Sequence, residues 1–309
     1  MSQARPAAGL QDREMSKMEN SKASRTAQGT AFFRAIESTR PERERVCFDP
    51  VAKKFLGPSV RLAGTSRRIA ALWYALLKRQ GLGHMYGEVV TRTKYIDDRL
   101  EESLHSGIEQ VIILGAGYDS RACRFDNRAG RVRFFELDHP ATQVLKRRAL
   151  ARARGPEPAG VTYVPIDFGK DDLASRLLEA GYQETRLTFF IWEGVTMYLK
   201  PDSIDETLRF VAGRSPRGSS IVFNYVIRSR DGSAVDDKNV KQTLERMRKM
   251  GEPVVFGLLE SNVKDFLEAR GFGSVQNAPC AEVGRAYFEA VGRKQEIAAH
   301  LGIAYARTV

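Results

Sequence analysis

The chain lacks the features that define several large classes of protein. Its 309 residues contain 3 cysteines, which are odd in number, widely spaced and without a Cys-x-x-Cys pair. Neither a disulfide framework nor a zinc site is expected, and we predict no metal. No apolar run approaches the roughly 20 residues of a membrane helix. Residues 1–6 lack the apolar core of a signal peptide, so we predict a cytoplasmic protein that does not bind membranes.

Acidic residues are also fewer than basic residues. The chain has 49 Lys and Arg and 38 Asp and Glu, which gives a net charge of +11. Much of the excess lies in residues 51–100, where ten Lys and Arg stand against Glu88, Asp97 and Asp98. A basic surface can attract nucleic acid, but the sequence contains no recognised RNA- or DNA-binding module. A solvated helical face is the first interpretation, and an anion-attracting mouth for an acidic substrate is the second.

The most informative segment present is VIILGAGYDSR at residues 111–121. Its uninterrupted apolar, β-branched run is typical of a strand buried on both faces of a parallel sheet. The run ends in Gly115-Ala116-Gly117, and glycines at such a turn let the backbone approach a ligand closely. The segment therefore predicts a nucleotide-type pocket.

A second strand is predicted at residues 132–138, VRFFELD, and it ends in Asp138. An acid about 20 residues beyond the glycine turn is suitably placed to bind a ribose diol. The third glycine of a dinucleotide fingerprint is absent, because Ser120 and Arg121 follow the turn, and a pyrophosphate cradle is therefore disfavoured. A cofactor without phosphate, such as S-adenosylmethionine (SAM), fits this pattern better.

The order of patterns predicts an α/β fold with a doubly wound, Rossmann-like sheet and an N-terminal helical cap. Residues 1–22 are polar with little periodicity and are predicted to be disordered. Residues 23–107 show only helical patterns and would form the cap, whereas strands and helices alternate over residues 108–309. A charged insertion is predicted near residues 227–256. The C-terminal elements would be a helix near 261–270 and strands near 274–275 and 285–291.

Six short motifs, in order along the chain, resemble those of one group of class I methyltransferases. They are FDP at 48–50, RTKYIDD at 92–98, QVIILGAGYDSR at 110–121, FELDHP at 135–140, IDF at 166–168 and WEGVTMYL at 192–199. This group is the leucine carboxyl methyltransferase family, which includes bacterial SAM-dependent and polyketide O-methyltransferases. The resemblance implies a class I methyltransferase sheet with SAM as the methyl donor.

The resemblance and the position of the motifs at strand ends predict which residues bind the cofactor. The set is Arg92, Gly115, Ala116, Gly117, Asp138, Asp167, Phe168 and Glu193. The glycine turn would contact the methionine part, Asp138 the ribose hydroxyls, and Asp167 and Phe168 the adenine. Arg92 would bind the carboxylate of the amino-acid end and Glu193 its α-ammonium.

Structural alternatives stay open for these residues. Asp138 could cap the helix that begins at Pro140, and Phe168 could belong to the core. Arg92 could form a surface salt bridge with Asp97 or Asp98. Glu193 could cap a helix, although a carboxylate in so apolar a segment is costly unless it is paired.

The sequence gives less information about the methyl acceptor than about the cofactor. Methyl transfer needs alignment and a dry pocket; a carboxylate acceptor then needs only a positioning cation, whereas a phenol or alcohol would want a base. Tyr198, Tyr225 and His139 are the catalytic candidates. Both tyrosines are expected on the acceptor side, although either could pack in the core, and His139 could be structural or lie beside the adenosine. Val226 stands where the protein-methylating relatives carry Glu. We therefore predict O-methylation of a carboxylate or acidic hydroxyl on a small organic molecule.

Three other functions share part of this pattern. An NAD(P)-dependent Rossmann oxidoreductase would have the strand, the glycines and the acid, but should add a third glycine, where this sequence has Ser120, and a Tyr-x-x-x-Lys or equivalent. The Tyr-x-x-x-Lys at residues 74–78 precedes the glycine turn, in the predicted helical cap. An RNA- or protein-directed methyltransferase would retain the cofactor residues and differ in its acceptor site. A non-catalytic SAM-binding module would lack an enclosed acceptor pocket. The oligomeric state is left open by the sequence.

Overall fold

The computed structural model describes residues 25–125, 131–152, 160–230, 238–249, 253–297 and 299–309. The predicted disorder of residues 1–22 lies outside these ranges, as does part of the predicted insertion. The strands are β1 (Gln110–Leu114), β2 (Arg133–Asp138), β3 (Val161–Pro165), β4 (Thr188–Trp192), β5 (Ser220–Val226), β6 (Phe272–Pro279) and β7 (Leu301–Thr308). The α-helices are α1 (Arg25–Glu37), α2 (Pro58–Arg61), α3 (Arg67–Arg79), α4 (Gly83–His105), α5 (Arg121–Arg124), α6 (Pro140–Arg152), α7 (Leu173–Glu179), α8 (Pro201–Gly213), α9 (Lys238–Lys249), α10 (Val263–Glu268) and α11 (Cys280–Ala290).

The seven strands form one sheet in the order β3-β2-β1-β4-β5-β7-β6. Strands β1 to β5 run parallel, and β7 is antiparallel to both of its neighbours. The strand order reverses beside β1, which lies between β2 and β4. In open α/β sheets a ligand binds at such a switch point, outside the carboxyl ends of the strands. The predicted doubly wound fold is confirmed.

Strand β1 is buried along its whole length, as its apolar sequence predicts. Successive side chains point to opposite faces of the sheet. Ile112 and Leu114 pack into one apolar cluster, and Val111 and Ile113 pack into another. The core therefore has two layers, and β1 is held between them with its glycine turn at the sheet edge.

Helices occupy the described residues before β1, and no strand falls among them. A third apolar cluster joins these helices, with Phe32 and Phe33 of α1 packed with Tyr86 and Val89 of α4 and with Phe288 of α11. The N-terminal helices thus pack on one another and on a C-terminal helix. Within the described residues, no helix has the length and apolar character needed to cross a membrane.

The C-terminal region differs from the prediction. The strand predicted over residues 285–291 is wrong, because this stretch belongs to helix α11. Cys280, Gly284 and Phe288 are its buried residues, and their spacing of four places them on one helical face. A Cβ at Gly284 would lie 2.2 Å from the Ile297 side chain, which shows how closely the helix packs. The last strand is β7, beyond this helix.

Candidate active site

A cavity of about 400 Å³ lies at the carboxyl ends of the parallel strands, and we call it the first cavity. It contains the whole predicted cofactor-binding set in its wall. These residues are Arg92, Gly115, Ala116, Gly117, Asp138, Asp167, Phe168 and Glu193. The topology therefore collects residues that are far apart in the sequence around one space, while their binding roles stay predictions.

The glycine turn after β1 has a backbone that other residues adopt with difficulty. Gly115 has φ +70° and Gly117 has φ +44°, both in the left-handed region. A Cβ at Gly115 would lie 2.3 Å from Val195 Cγ2, and one at Gly117 would lie 3.3 Å from the Cβ of Ala27. Neighbouring side chains leave little room for a Cβ at either position, so the glycine backbone itself forms the cavity wall.

The carboxylate of Asp138 is bound to the glycine turn across the switch point. It accepts a hydrogen bond from Gly117 N–H and another, at 2.6 Å, from His139 N–H. Burial raises the pKa of Asp138, although these two backbone donors oppose the shift. A carboxylate has about four lone-pair sites, so two sites stay available to a ligand diol. The helix-capping alternative does not hold for Asp138, because His139 directly precedes α6 and its Nδ1 accepts from Ala141 N–H.

Arg92 and Glu193 form an ion pair in the wall of the first cavity. Arg92 Nε donates to Glu193 Oε1 at 2.8 Å, and Arg121 Nη1 donates to Glu193 Oε2 at 2.7 Å. Burial opposes the ionised form of Glu193, but Arg121 and Arg92 lower its pKa overall. Arg92 does not form the surface salt bridge with Asp97 or Asp98 that the sequence left open, because it pairs with Glu193 instead. Glu193 is thus an ionised carboxylate suited to a bound cation.

Arg121 is a site residue that the sequence interpretation missed. It is almost fully buried, donates from Nε to Asp97 Oδ1 at 2.7 Å, and also pairs with Asp119 and Glu193. Burial raises the pKa of Asp119, but Arg121, Lys146 and Arg34 together outweigh this effect and bring the value to about 2. The available signal was the position of Arg121 directly after the glycine turn. The sequence interpretation used it only to argue against a third glycine.

Helix α1 also contributes to the first cavity, which the sequence did not indicate. Thr26, Thr30 and Arg34 line it. Arg34 Nε donates to Asp49 Oδ2 at 2.9 Å, and its Nη2 donates to the Tyr118 carbonyl at 2.6 Å. The Asp in the FDP motif was the signal, because a buried carboxylate needs a cation. This pairing holds α1 over the strand ends.

Asp167 and Phe168 lie at the other end of the cavity, after β3. Asp167 Oδ1 accepts from Gly169 N–H at 3.1 Å, and Oδ2 pairs with Lys170 Nζ at 2.7 Å. The hydrogen bond from Lys170 lowers the pKa of Asp167. Phe168 is half-buried against the apolar core cluster while also lining the cavity. An aromatic face and an ionised carboxylate therefore stand side by side.

The three catalytic candidates have different positions. Tyr198 lines the first cavity, as does His139, whose Nδ1 accepts from Ala141 N–H at 3.2 Å. Tyr225 is completely buried in the core, and its hydroxyl donates to Asn277 Oδ1 at 2.8 Å. Side chains alternate along β5, so Tyr225 faces away from the side where Val226 lies. The placement of Tyr225 at the acceptor side is therefore corrected.

A second cavity of about 260 Å³ adjoins the first, and the two share Thr26, Thr30, Arg92, Gly194 and Tyr198 in their walls. Its remaining lining is mainly apolar, from α1, α3, α4, α9 and the segments around β5 and β7. These residues are Phe32, Phe33, Leu77, Leu82, Met85, Val89, Met197, Val226, Leu244, Val254 and Leu301, with Gly29 beside them. Glu88 and His300 complete it.

The basic residues of the N-terminal helices do not form an anion-attracting mouth. Of the ten Lys and Arg in residues 51–100, Arg92 is the one that lines either cavity among the described residues. Others pair with acids on the surface, as Arg67 does with Glu44 and Arg99 with Glu102. The solvated-face interpretation is therefore the better one. Within the described ranges, no cluster of three His, Cys, Asp or Glu is arranged to hold a metal.

The chain is similar to known methyltransferases. A model of the leucine carboxyl methyltransferase family matches residues 27–212. Two relatives carry the name "Putative S-adenosyl-L-methionine-dependent methyltransferase". YktD from Bacillus subtilis is 30% identical over 71% of this chain and 71% of its own. A Mycolicibacterium vanbaalenii protein is 33% identical over 66% of each chain.

The aligned region covers from 54% to 73% of the length of the relatives in this group. Among solved structures, human N-acetylserotonin methyltransferase in complex with SAM aligns over 77% of this chain and 59% of its own. Its identity of 13% and TM-score of 0.45 are too low to bear on function.

Proposed function

The chain belongs to the leucine carboxyl methyltransferase family and is a SAM-dependent methyltransferase, and from this premise we propose that it methylates an oxygen atom of a small organic acceptor. The first cavity would hold the cofactor and the second the acceptor. The observation that carries the proposal is the junction of the two, where Arg92, Gly194 and Tyr198 belong to both walls.

The residues of the first cavity fit SAM by their chemistry. A glycine backbone that leaves no room for a Cβ can lie against the methionine part, and Asp138 has unused lone pairs for a ribose diol. Glu193 is an ionised carboxylate for the α-ammonium, and Arg92 can turn part of its guanidinium to the carboxylate. Phe168 and Asp167 suit an adenine ring and its amine. A phosphate group would find no third glycine.

When bound, SAM supplies a methyl group on a positively charged sulfur, and in-line displacement requires the acceptor oxygen on the opposite side of that carbon. The chain's own residues provide this alignment. Gly194 and Tyr198 lie where the two cavities meet, so an oxygen in the second cavity can approach from that side. Helix α1, held by Arg34, covers the strand ends and keeps water out.

The acceptor is proposed to be small because the second cavity is small. A volume of about 260 Å³ suits a molecule of one or two rings, near the lower limit of drug-sized pockets. An RNA strand or a folded protein surface needs an open groove instead. The apolar lining further favours an acceptor with little charge on its body.

Two measurements test the proposal. Calorimetric titration should show binding of SAM and S-adenosylhomocysteine (SAH) and none of NADH. Transfer of labelled methyl should then be measured across carboxylic acids, phenols, amines, peptides and RNA, and we expect label only in oxygen acceptors. Label confined to amines or RNA would overturn the acceptor assignment, and binding of NADH instead of SAH would overturn the cofactor assignment.

A further inference from the structure

The second cavity contains an ionisable pair that the cofactor site does not use. Glu88 comes from the middle of α4, and His300 directly precedes β7. His300 Nδ1 lies 3.2 Å from Glu88 Oε1, and the two residues are 2% and 4% exposed, respectively. Ionisable groups in an apolar wall are costly, and a perturbed pair at a cavity is typical of functional sites.

The surroundings of the pair affect the protonation of Glu88. Burial raises the pKa of Glu88 to about 8, and Arg92 on the same helix opposes this shift only in part. From helix α11, the Cys280 thiol donates to the Glu88 backbone carbonyl at 3.8 Å, and burial raises the pKa of that thiol. His300 faces Glu88 from the segment before β7. Glu88 can therefore change its protonation state near neutral pH.

The charges in the second cavity discriminate between the two acceptor classes left open above. Arg92 is the one Lys or Arg in its wall among the described residues; it pairs with Glu193 at 2.8 Å, and in the proposed function the rest of its guanidinium binds the cofactor carboxylate. A carboxylate acceptor would bring a second negative charge beside Glu88 with no spare cation to balance it. A neutral hydroxyl brings no charge and needs a base, which the pair provides.

We propose that Glu88 and His300 together accept the proton of a phenol-type hydroxyl, so that the acceptor is a neutral phenol with an apolar body rather than a carboxylate. This inference rests on the proposed function. In the step, the hydroxyl proton moves to the His300 imidazole, whose positive charge the Glu88 carboxylate balances. The oxygen electron pair forms the new C–O bond as the C–S bond breaks, and the C–S electrons remain on sulfur. The imidazolium then releases its proton to water.

The apolar lining agrees with this acceptor. Phe32 and Phe33 from α1 and Leu244 from α9 face the same space as the pair. Aromatic and aliphatic walls gain about 25 cal/mol for each Å² of apolar surface they cover, and an aromatic ring also stacks favourably on a Phe. The pair is thus a polar group in a mainly apolar wall, which suits an acceptor that carries a single hydroxyl.

The test uses acceptors matched in all but the reacting group. These are 2-naphthol with 2-naphthoic acid and 4-butylphenol with 4-butylbenzoic acid, assayed with methyl-labelled SAM. The wild-type enzyme should methylate each phenol at least about tenfold faster than its carboxylic acid. In Glu88→Gln and His300→Asn, kcat for the phenols should fall by about 10² or more, which is the usual contribution of a general base. The control Glu289→Gln, at an exposed position, should match wild type.

Two further measurements separate a proton-accepting role from a structural one. In the Glu88 and His300 variants, SAH affinity by calorimetry and KM for the phenol should change less than about threefold. We expect kcat of the wild type to rise with pH, and this rise should disappear in the variants. Substitution of a residue that only supports the fold would instead weaken SAH binding, lower the melting temperature and leave the pH profile intact. Calorimetry on the SAH complex should also show tighter binding of 2-naphthol than of 2-naphthoate.

Each contrary outcome is informative. Faster transfer to the carboxylic acids, or variants that keep wild-type kcat and pH profile, would overturn the assignment of Glu88 and His300 while leaving the proposed function intact. Binding of neither naphthalene compound to the SAH complex would also overturn it, because the cavity would then not be a phenol site. Failure of the wild-type protein to bind SAH would overturn the proposed function itself.

Discussion

The two cavities of this methyltransferase place the same residue type in opposite electrostatic settings. In the first cavity Glu193 is held between Arg92 and Arg121, and its pKa is lowered. In the second cavity Glu88 faces His300 within an apolar wall, and burial raises its pKa to about 8. A carboxylate surrounded by guanidinium groups stays ionised and binds a cation, whereas one in an apolar wall exchanges protons near neutral pH. The difference separates a proposed cofactor-binding site from a proposed reaction site.

The cavities also differ in how the chain builds them. The first is made largely from the carboxyl ends of parallel strands, which the topology brings to one edge of the sheet. The second is made mainly from helices and from residues that flank β5 and β7. Sheet topology therefore predicts where the first cavity lies, whereas the second cavity depends on how the helices pack. The predictions below test this contrast.

The largest effect is expected from a change in the glycine turn of the first cavity. Gly117→Val should lower SAH affinity by more than about 100-fold, because φ of +44° strains a β-branched residue and its side chain would enter the cofactor space. Calorimetry is the measurement. Gly213→Val is the matched control, since a Cβ there meets nothing within 4 Å. Normal binding by a folded Gly117→Val variant would make the turn merely structural.

The raised pKa of Glu88 predicts a pH-dependent stability. Between its usual pKa of 4.5 and about 8, the folded state binds more protons than the unfolded state, so stability should fall as pH rises through this window. Glu88→Gln removes this loss and should be more stable than wild type by about 4 kcal/mol near pH 8, with little difference near pH 4.5. Urea unfolding at several pH values measures it.

The exposed Glu289→Gln should show no such trend. If Glu88→Gln and wild type differ by the same amount at every pH, the two cavities do not differ in the way proposed. A gain in stability for Glu88→Gln would also show that its loss of kcat is not caused by unfolding.

A smaller effect is expected at the ribose position of the first cavity. Asp138→Ala should weaken SAH binding by about 1.5–3 kcal/mol, the value for charge-assisted hydrogen bonds, while the far-ultraviolet circular dichroism stays that of wild type. Asp202→Ala, at an exposed position in the first turn of α8, is the control. Unchanged SAH affinity in calorimetry would remove Asp138 from the cofactor site.

The smallest effect is expected at Tyr225, which the sequence placed near the acceptor. Tyr225→Phe removes one hydrogen bond to Asn277 and should cost about 1 kcal/mol of stability, with methyl transfer changed less than about twofold. Tyr198→Phe, in the wall shared by both cavities, should instead alter KM for the acceptor. Loss of transfer in Tyr225→Phe, at unchanged stability, would return this residue to the acceptor site.

The sequence alone was sufficient for the parallel part of the sheet and for the strand-end residues, but not for the antiparallel strand β7. An apolar run such as that of β1, followed by Gly115 and Gly117 and then by Asp138, reflects local rules of burial and backbone geometry. Since parallel strands end at one edge, these motifs converge whatever the details of packing. The same local reasoning failed in α11, where a run of aromatic and β-branched residues suggested a strand although its buried residues recur every four positions.

Only the tertiary structure decided the charge partners and the second cavity. Arg121 could be read as a residue beside a turn until its contacts with Asp97 and Glu193 were visible. Glu88 and His300 lie more than 200 positions apart, and no periodicity links them. Side-chain pairing between remote segments depends on how helices pack on the sheet, which composition and spacing do not encode. Local sequence thus determines the proposed cofactor cavity, whereas packing between remote segments determines the proposed acceptor cavity.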